Sequence, residues 1–346
     1  MTPRISGFPQ TISQSAMNKP RALILSLVVI LVHFSPISAV AQDALKLSGS
    51  IFSDYAYLIS SPDEDREGEN GFGFRRVYLT ADYVISEAFS GRVRFEGADN
   101  STTAQGKPAP FVKDLYVKWN DALGDGHSIT FGLSSPPLWG PAEKQWGYRS
   151  LEKTIQDRTK IASSRDMGIT FKGPLTSDGR VSYAAMVGNN SSGKAESDKF
   201  KRAYAQLEFK ANDQIGLTLG GDYYQFDGGS SFSVNSFVGY TAADYKLGVE
   251  SYLSPKSYDD EAEDDTRIGV SLFGQYQVSD TKRLIARYDF FTRDDMGAES
   301  DQNWAVLGLA FSPEDGIEII PNVIYSKNDY DEDATINARV TITASF

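Results

Sequence analysis

The chain has 346 residues, with 46 Asp or Glu against 34 Lys or Arg and a formal net charge of -12. It contains no cysteine, so disulfides and thiolate-ligated metals are excluded. The acidic balance, with no exposed basic patch, argues against a nucleic-acid partner.

From Met17 the sequence runs Met17-Asn18-Lys19-Pro20-Arg21, then the apolar stretch Ala22 to Phe34, then small residues ending Ala39-Val40-Ala41 ahead of Gln42-Asp43. Basic, apolar and A-x-A segments in that order form a secretory signal, too short for a stop-transfer helix. Residues 1–41 are therefore expected to be a signal peptide cleaved near Ala41, with Met17 as an alternative start, and 42–346 the exported domain. Past Gln42 no stretch approaches the roughly 20 apolar residues of a membrane helix. An integral membrane form would have to be a closed barrel, because an open sheet edge leaves backbone groups unpaired in hydrocarbon.

Sixteen segments of strand character follow, at 46–58, 72–85, 89–98, 111–120, 127–134, 165–173, 180–188, 201–210, 215–226, 231–240, 245–253, 267–278, 282–293, 303–312, 317–327 and 335–346. They alternate cleanly. Val77, Leu79, Ala81 and Tyr83 interleave with Arg76, Tyr78, Thr80 and Asp82, and Ala203, Ala205, Leu207 and Phe209 with Arg202, Tyr204, Gln206 and Glu208. The last segment puts Ile336, Ala338, Val340, Ile342, Ala344 and Phe346 on one face and Asn337, Arg339, Thr341, Thr343 and Ser345 on the other.

A soluble sandwich could bury such an apolar face and a membrane barrel could turn it outward. The connections favour the barrel. Those after even strands are tight, as at "SEAF" from Ser86, "NDQ" from Asn212 and "SDT" from Ser279. Those after odd strands tend to be longer, and several are acidic: "SPDEDREGEN" from Ser61, "PKSYDDEAEDDT" from Pro255 and "NDYDEDA" from Asn328. Short turns on one rim and longer loops on the other mark a transmembrane antiparallel all-β barrel of about 16 strands. Tyr83, Trp119, Phe171, Tyr245, Phe311 and Phe346, outward at strand ends, would form an interfacial girdle.

The longest connection runs from Ser135 to Ser164, after the fifth strand, and carries Trp139, Trp146, Tyr148, Leu151, Ile155 and Ile161. Its second half has helical spacing, with Ser150 as a cap and Lys153 and Asp157 four apart. It is expected to fold into the barrel and narrow it, with Arg149, Lys153, Arg158 and Lys160 at the constriction; an outside flap held by its aromatics is the alternative.

The strand phase aims Arg76, Arg92, Arg94, Arg180, Arg202, Arg267, Arg283, Arg287, Arg293 and Arg339 into the lumen, with Lys46, Lys118, Lys172, Lys210 and Lys246. Facing them are Asp54, Asp82, Glu96, Asp114, Asp166, Glu208, Asp222, Glu250, Asp289 and Glu318. The excess is positive, while the acidic surplus of the chain sits in outer loops. Walls of low dielectric focus such a field, and basic rings are how pores favour anions. The competing expectation is that the charges pair and only solvate the lumen.

Five stretches resemble the phosphate-selective porin O and P family of bacterial outer-membrane porins: "FRRVYLTADYVISEAFSGRVRFE" from Phe74, "KDLYVKW" from Lys113, "FGLSSP" from Phe131, "WGYRSLEKT" from Trp146 and "SSRDMGI" from Ser163. The resemblance covers about the first third of the exported chain and implies a 16-stranded, trimeric, anion-preferring diffusion channel without a cofactor. Phe346, a terminal aromatic on an alternating strand, is similar to the signal by which such barrels are handed to the barrel assembly machinery.

Two other chemistries lack the residues they need. His127 is the single histidine of the exported chain, beside a tight turn, with no evident nucleophile, so no catalytic role is expected. Asp329, Asp331 and Asp333 are spaced like alternate calcium ligands, but no glycine or distal glutamate follows at the required positions, and no metal site is expected. These carboxylates and those from Asp259 to Asp265 could instead bridge to lipopolysaccharide through divalent cations. A non-conducting structural or adhesin-like barrel with a plugged lumen is the alternative to a channel for small anionic or neutral solutes.

Overall fold

The computed structural model describes residues 44–259, 265–295 and 298–346. The expected signal peptide and most of the acidic stretch between Asp259 and Asp265 lie outside the described residues.

The described strands are β1 (Leu45–Ser60), β2 (Asn70–Val84), β3 (Phe89–Ala98), β4 (Phe111–Trp119), β5 (Ser128–Ser134), β6 (Asp166–Pro174), β7 (Val181–Gly188) and β8 (Arg202–Lys210). They continue as β9 (Ile215–Phe226), β10 (Gly229–Thr241), β11 (Tyr245–Tyr258), β12 (Asp265–Ser279), β13 (Lys282–Asp295), β14 (Ala298–Glu314), β15 (Ile317–Asn328) and β16 (Thr335–Ser345). Each pairs antiparallel with its chain neighbours, and β16 pairs with β1, closing the sheet into a barrel. Closure removes the free edges that hydrocarbon would not tolerate.

The barrel is inverted relative to a soluble protein. Leu47, Leu79, Phe131, Leu219, Leu272, Leu307 and Ile342 are exposed on the outer face, while Asp54, Glu96, Asp114, Asp222, Glu250 and Asp289 are buried inside. Exposed leucines and buried carboxylates make sense when lipid lies outside and water inside.

The aromatic girdle follows the short-turn rim. Phe89 stacks on Trp119 at 5.6 Å between centroids, and Tyr245 on Tyr276 at 4.9 Å. Phe346 exchanges backbone bonds with Gly49: its N–H donates to the Gly49 carbonyl at 3.1 Å and its carbonyl accepts at 2.9 Å. Its ring occupies the space where a Cβ at position 49 would stand, so only glycine lets the terminal aromatic dock there.

Strand lengths depart from expectation on the other rim. β11 runs on to Tyr258 and β14 starts at Ala298, giving 14 and 17 residues, well beyond the roughly 9 to 11 that span a bilayer. After β9 the chain turns in the two residues Asp227 and Gly228, so what looks like loop from Gly229 onward is strand. There the ladder itself projects past the membrane. Arg180 also differs: it lies in the turn before β7, exposed and paired with Asp178, and not in the lumen wall.

Candidate functional site

Residues 135–164 enter the lumen. The expected helix from Ser150 does not form; two shorter ones do, α1 (Gly140–Trp146) and α2 (Ile155–Arg158). Pro141 opens α1, where a missing N–H costs nothing, and Gly147 ends it at φ 69°, a left-handed conformation that glycine adopts freely. Between the helices the chain bends so that Trp146, Tyr148 and Leu151 all reach the same wall, which a continuous helix would prevent. Thr154 stands at the N-cap position of α2 in extended geometry.

That wall is apolar. Trp146 and Leu151 are fully buried against Phe237, Phe273, Ile285, Trp304, Val306, Ile320 and Ile324, inward residues of β10 and β12 to β15. Trp146 meets Phe273 edge-on at 5.5 Å. Farther round, Leu138 and Trp139 pack with Met186 and Tyr204, and Ile155 and Ile161 with Tyr252.

A loop away from bulk water must also satisfy its backbone. Wall amides and guanidiniums do so: Gln206 Nε2 donates to the Leu138 carbonyl at 2.6 Å, Gln275 Nε2 to Trp146 at 2.6 Å, and Arg287 Nη1 to Lys153 at 2.6 Å. Gln156 Nε2 donates to Glu250 Oε1 at 2.7 Å.

The opposite wall, β16 and β1 to β5, holds the loop by charge. Arg75 Nη1 reaches the Leu151 carbonyl at 3.2 Å and pairs with Asp54; Lys113 Nζ reaches Ser164 Oγ at 3.0 Å and Glu96 at 3.0 Å. Arg165 pairs with Asp114. Arg339 Nη2 comes to 3.4 Å of the Leu151 carbonyl.

The four loop cations expected at the constriction are not equivalent. Arg149 is the central one: Nη1 donates to Asp157 Oδ2 at 2.8 Å, another bond goes to Glu143, and Nε points at Tyr78 Oη at 3.4 Å. Burial opposes its charge, but Glu143, Tyr78 and Asp157 outweigh it and hold the guanidinium above its ordinary pKa. Burial likewise opposes the Asp157 charge, and Arg149 with Lys153 overcomes it, keeping that carboxyl below its usual range. Lys153 lies 3.7 Å from Asp157. Arg158 is turned to the far wall, 3.1 Å from Asp289 and 5.3 Å from the Trp304 centroid. Lys160 is exposed at φ 59°, beyond the end of α2. Burial, then Glu318, pushes the Tyr148 hydroxyl up to about 12.

Among the wall arginines, Arg76 pairs with Glu96 at 3.2 Å, Arg92 with Asp82 at 2.6 Å, Arg94 with Asp114 at 3.5 Å, Arg202 with Asp222 at 2.6 Å and Arg287 with Asp289 at 2.7 Å. Arg283 bonds Gln277, and Arg339 lies 3.9 Å from Asp54. Arg76, Arg92, Arg94 and Arg339 stand on the charged wall, while Arg202, Arg283 and Arg287 belong to the loop's apolar side. Phe346 is remote, at the rim.

Strict alternation misses Arg75, Lys113 and Arg165. The β1–β2 register jumps at Arg75 and the β3–β4 register at Lys113. At each bulge two neighbouring charges, Arg75 with Arg76 and Lys113 with Asp114, both turn inward. Adjacent charges inside a lipid-facing strand were the available signal, since an arginine on the lipid side at mid-bilayer costs roughly 2–4 kcal/mol.

No protein-family profile and no curated protein sequence matches the chain. Solved structures do. An anion-selective porin from Comamonas acidovorans aligns over 88% of this chain and 99% of its own with a TM-score of 0.66 and 14% identity. The outer-membrane channel DcaP of Acinetobacter baumannii covers 87% and 96% at 0.62 and 12%. An in-vitro folded outer-membrane protein OmpT of Vibrio cholerae, in trimer form, covers 87% and 99% at 0.58 and 15%. At these identities the likeness establishes the fold.

Proposed function

We propose that the protein is an outer-membrane porin through which small hydrophilic solutes diffuse passively, with a preference for anions. The observation that carries this is the inversion of the barrel together with a loop fastened inside it: lipid-facing leucines outside, charges inside, and residues 135–164 spanning the lumen. A water-filled passage with basic walls and a narrowing is what selective diffusion requires. Anion preference is supported by the excess of cations on the charged wall, where Arg75 and Lys113 from the bulges, with Arg76, Arg94, Arg165 and Arg339, share the three carboxylates Asp54, Glu96 and Asp114. A structurally similar protein is described as anion-selective and another as a trimer. Within this proposal residues 1–41 direct export, Phe346 serves assembly, the subunits form a homotrimer in lipopolysaccharide-bearing membrane, and phosphate-like anions are among the solutes.

One observation favours the competing proposal of a plugged barrel: the loop touches both walls, through Leu151 and Ser164 on one side and Trp146 on the other. Planar-bilayer recording of the purified protein in a salt gradient separates the two. The porin gives steady current with a reversal potential displaced toward the anion; silence leaves the plug, and a cation-directed potential removes the anion preference.

A further inference from the structure

The inward arginines of the wall differ in what holds them. Arg76, Arg92, Arg94, Arg202 and Arg287 each meet a carboxylate. Arg283, the second residue of β13, meets an amide instead: its Nε donates to Gln277 Oε1 at 2.8 Å, and Nη2 bonds the same oxygen. Gln277 is fixed in turn by the carbonyls of Ser279 and Lys282, to which its Nε2 donates. A neutral amide orients a guanidinium without neutralising it, and this one leaves open the Nη1–Nη2 edge, a fork that can take a carboxylate in two parallel bonds.

Two strands on, Glu318 is the second residue of β15, also near the short-turn rim. Arg283 acts on it from a distance, and no cation among the described residues reaches ion-pair range. Tyr148, carried there by the bend of the inward loop, stands between the two charges. It is 3% exposed, both charges act on its hydroxyl, and that hydroxyl has no hydrogen-bond partner among the described residues. Its ring meets Trp146 edge-on at 5.9 Å and belongs to one apolar cluster with Ala310 and Ile320. A buried hydroxyl is normally bonded. An oriented guanidinium, an unpaired carboxylate and an unpartnered phenol on one apolar floor are answered together by a molecule that carries both an anion and a cation.

We infer that this site binds a zwitterionic α-amino acid, its carboxylate on Arg283 and Tyr148 and its ammonium on Glu318. Both protein charges address one phenol oxygen, so the ligand charges they meet must sit on neighbouring atoms, as they do on either side of one α-carbon. A lone carboxylate at Arg283 faces a second negative charge in Glu318, and a lone ammonium at Glu318 faces Arg283. The site lies between the loop and the short-turn rim, on the path of the proposed channel, and rests on that proposal for access. It extends the solutes of that channel to a class of zero net charge, which basic walls do not sort.

L-Alanine is the probe, with acetate and ethylammonium as its two charges taken separately. In planar bilayers at fixed potassium chloride, L-alanine should reduce the current at least tenfold more strongly than either, and as an electroneutral solute it does so without altering ionic strength. Block should weaken at least tenfold in R283Q and in E318Q and severalfold in Y148F, each read against its own open current. No block by L-alanine, equal block by acetate or ethylammonium, or block unchanged in R283Q or E318Q overturns the site; equal block by γ-aminobutyrate overturns the α-amino acid assignment. If the protein carries no current, calorimetric titration of L-alanine into detergent-solubilised wild type, R283Q and E318Q decides the site separately from the channel. Heat of binding in the wild type that is lost in the variants upholds it; no heat in the wild type, or equal heat in all three, sinks it.

Discussion

The two walls that grip the inward loop do so by different physics. On β10 and β12 to β15 the contact is Trp146 and Leu151 sunk among Phe273, Ile285, Trp304 and Ile320. On β16 and β1 to β5 it is guanidinium and ammonium groups reaching loop oxygens and carboxylates. Burial is indifferent to salt and to mild changes of pH, whereas ion pairs respond to both. The apolar side therefore fixes where the loop sits, and under the proposed function the charged side is where the aperture would open and discriminate.

Removing the anchor is the severest way to break that contrast. Trp146→Ala deletes a fully buried indole, which costs about 3–5 kcal/mol of docking. The loop should leave the wall, seen as larger single-channel conductance and new tryptic cleavage near Lys144 and Arg149. Cleavage and conductance both at wild-type values would mean the charged wall alone holds the loop.

Next comes the sign of the charge. Arg149→Glu with Lys153→Glu and Arg158→Glu should move the anion-to-cation permeability ratio by about tenfold toward cations, equivalent to ~1.4 kcal/mol. Because Arg158 is engaged by Asp289 on the far wall, most of the change should come from Arg149 and Lys153. Reversal potentials of the single variants rank the three; an unchanged triple variant would move the selective step elsewhere, toward Arg75 and Lys113.

Acid probes the loop's own ion pairs more gently. The Asp157 carboxyl is held below its ordinary range in the folded loop, so its contribution is present above the unfolded value of about 4 and is lost only as pH falls through the lower folded value. Conductance and protease resistance should be flat from pH 7 to about 5 and change below about 4. Asp157→Asn should abolish that acid step, and a step surviving in the variant belongs to another carboxylate.

The contrast also explains what was legible in the sequence. Strand positions and barrel closure follow from alternation and from the parity of the turns, because lipid enforces one rule on every strand. Where the loop docks, the rule fails on the inner face: Trp304, Val306, Ile320 and Ile324 are apolar and inward beside outward Leu307, Leu309 and Val323. Strands apolar on both faces were the readable sign of the docking wall, and alternation alone passes over it. The bulges at Arg75 and Lys113 shift phase within a strand, so no period locates them. Nor did helical spacing from Ser150 foresee the chain bending to carry Tyr148 and Leu151 to one surface, since three aromatic and aliphatic anchors outweigh a few tenths of a kcal/mol of helix pairing.

The smallest effect is expected farthest from both walls. His127 precedes β5 at the short-turn rim, where Nδ1 lies 3.3 Å from Tyr183 Oη and the ring packs over Gly173 in space that any Cβ there would fill. These contacts describe a polar residue seated on the rim. His127→Ala should change stability by no more than about 1 kcal/mol and leave conductance and selectivity at wild-type values. Ester or peptide hydrolysis by the purified protein that disappears in this variant would overturn the expectation that the chain is not an enzyme, since a rim histidine with a structural role has no turnover to lose.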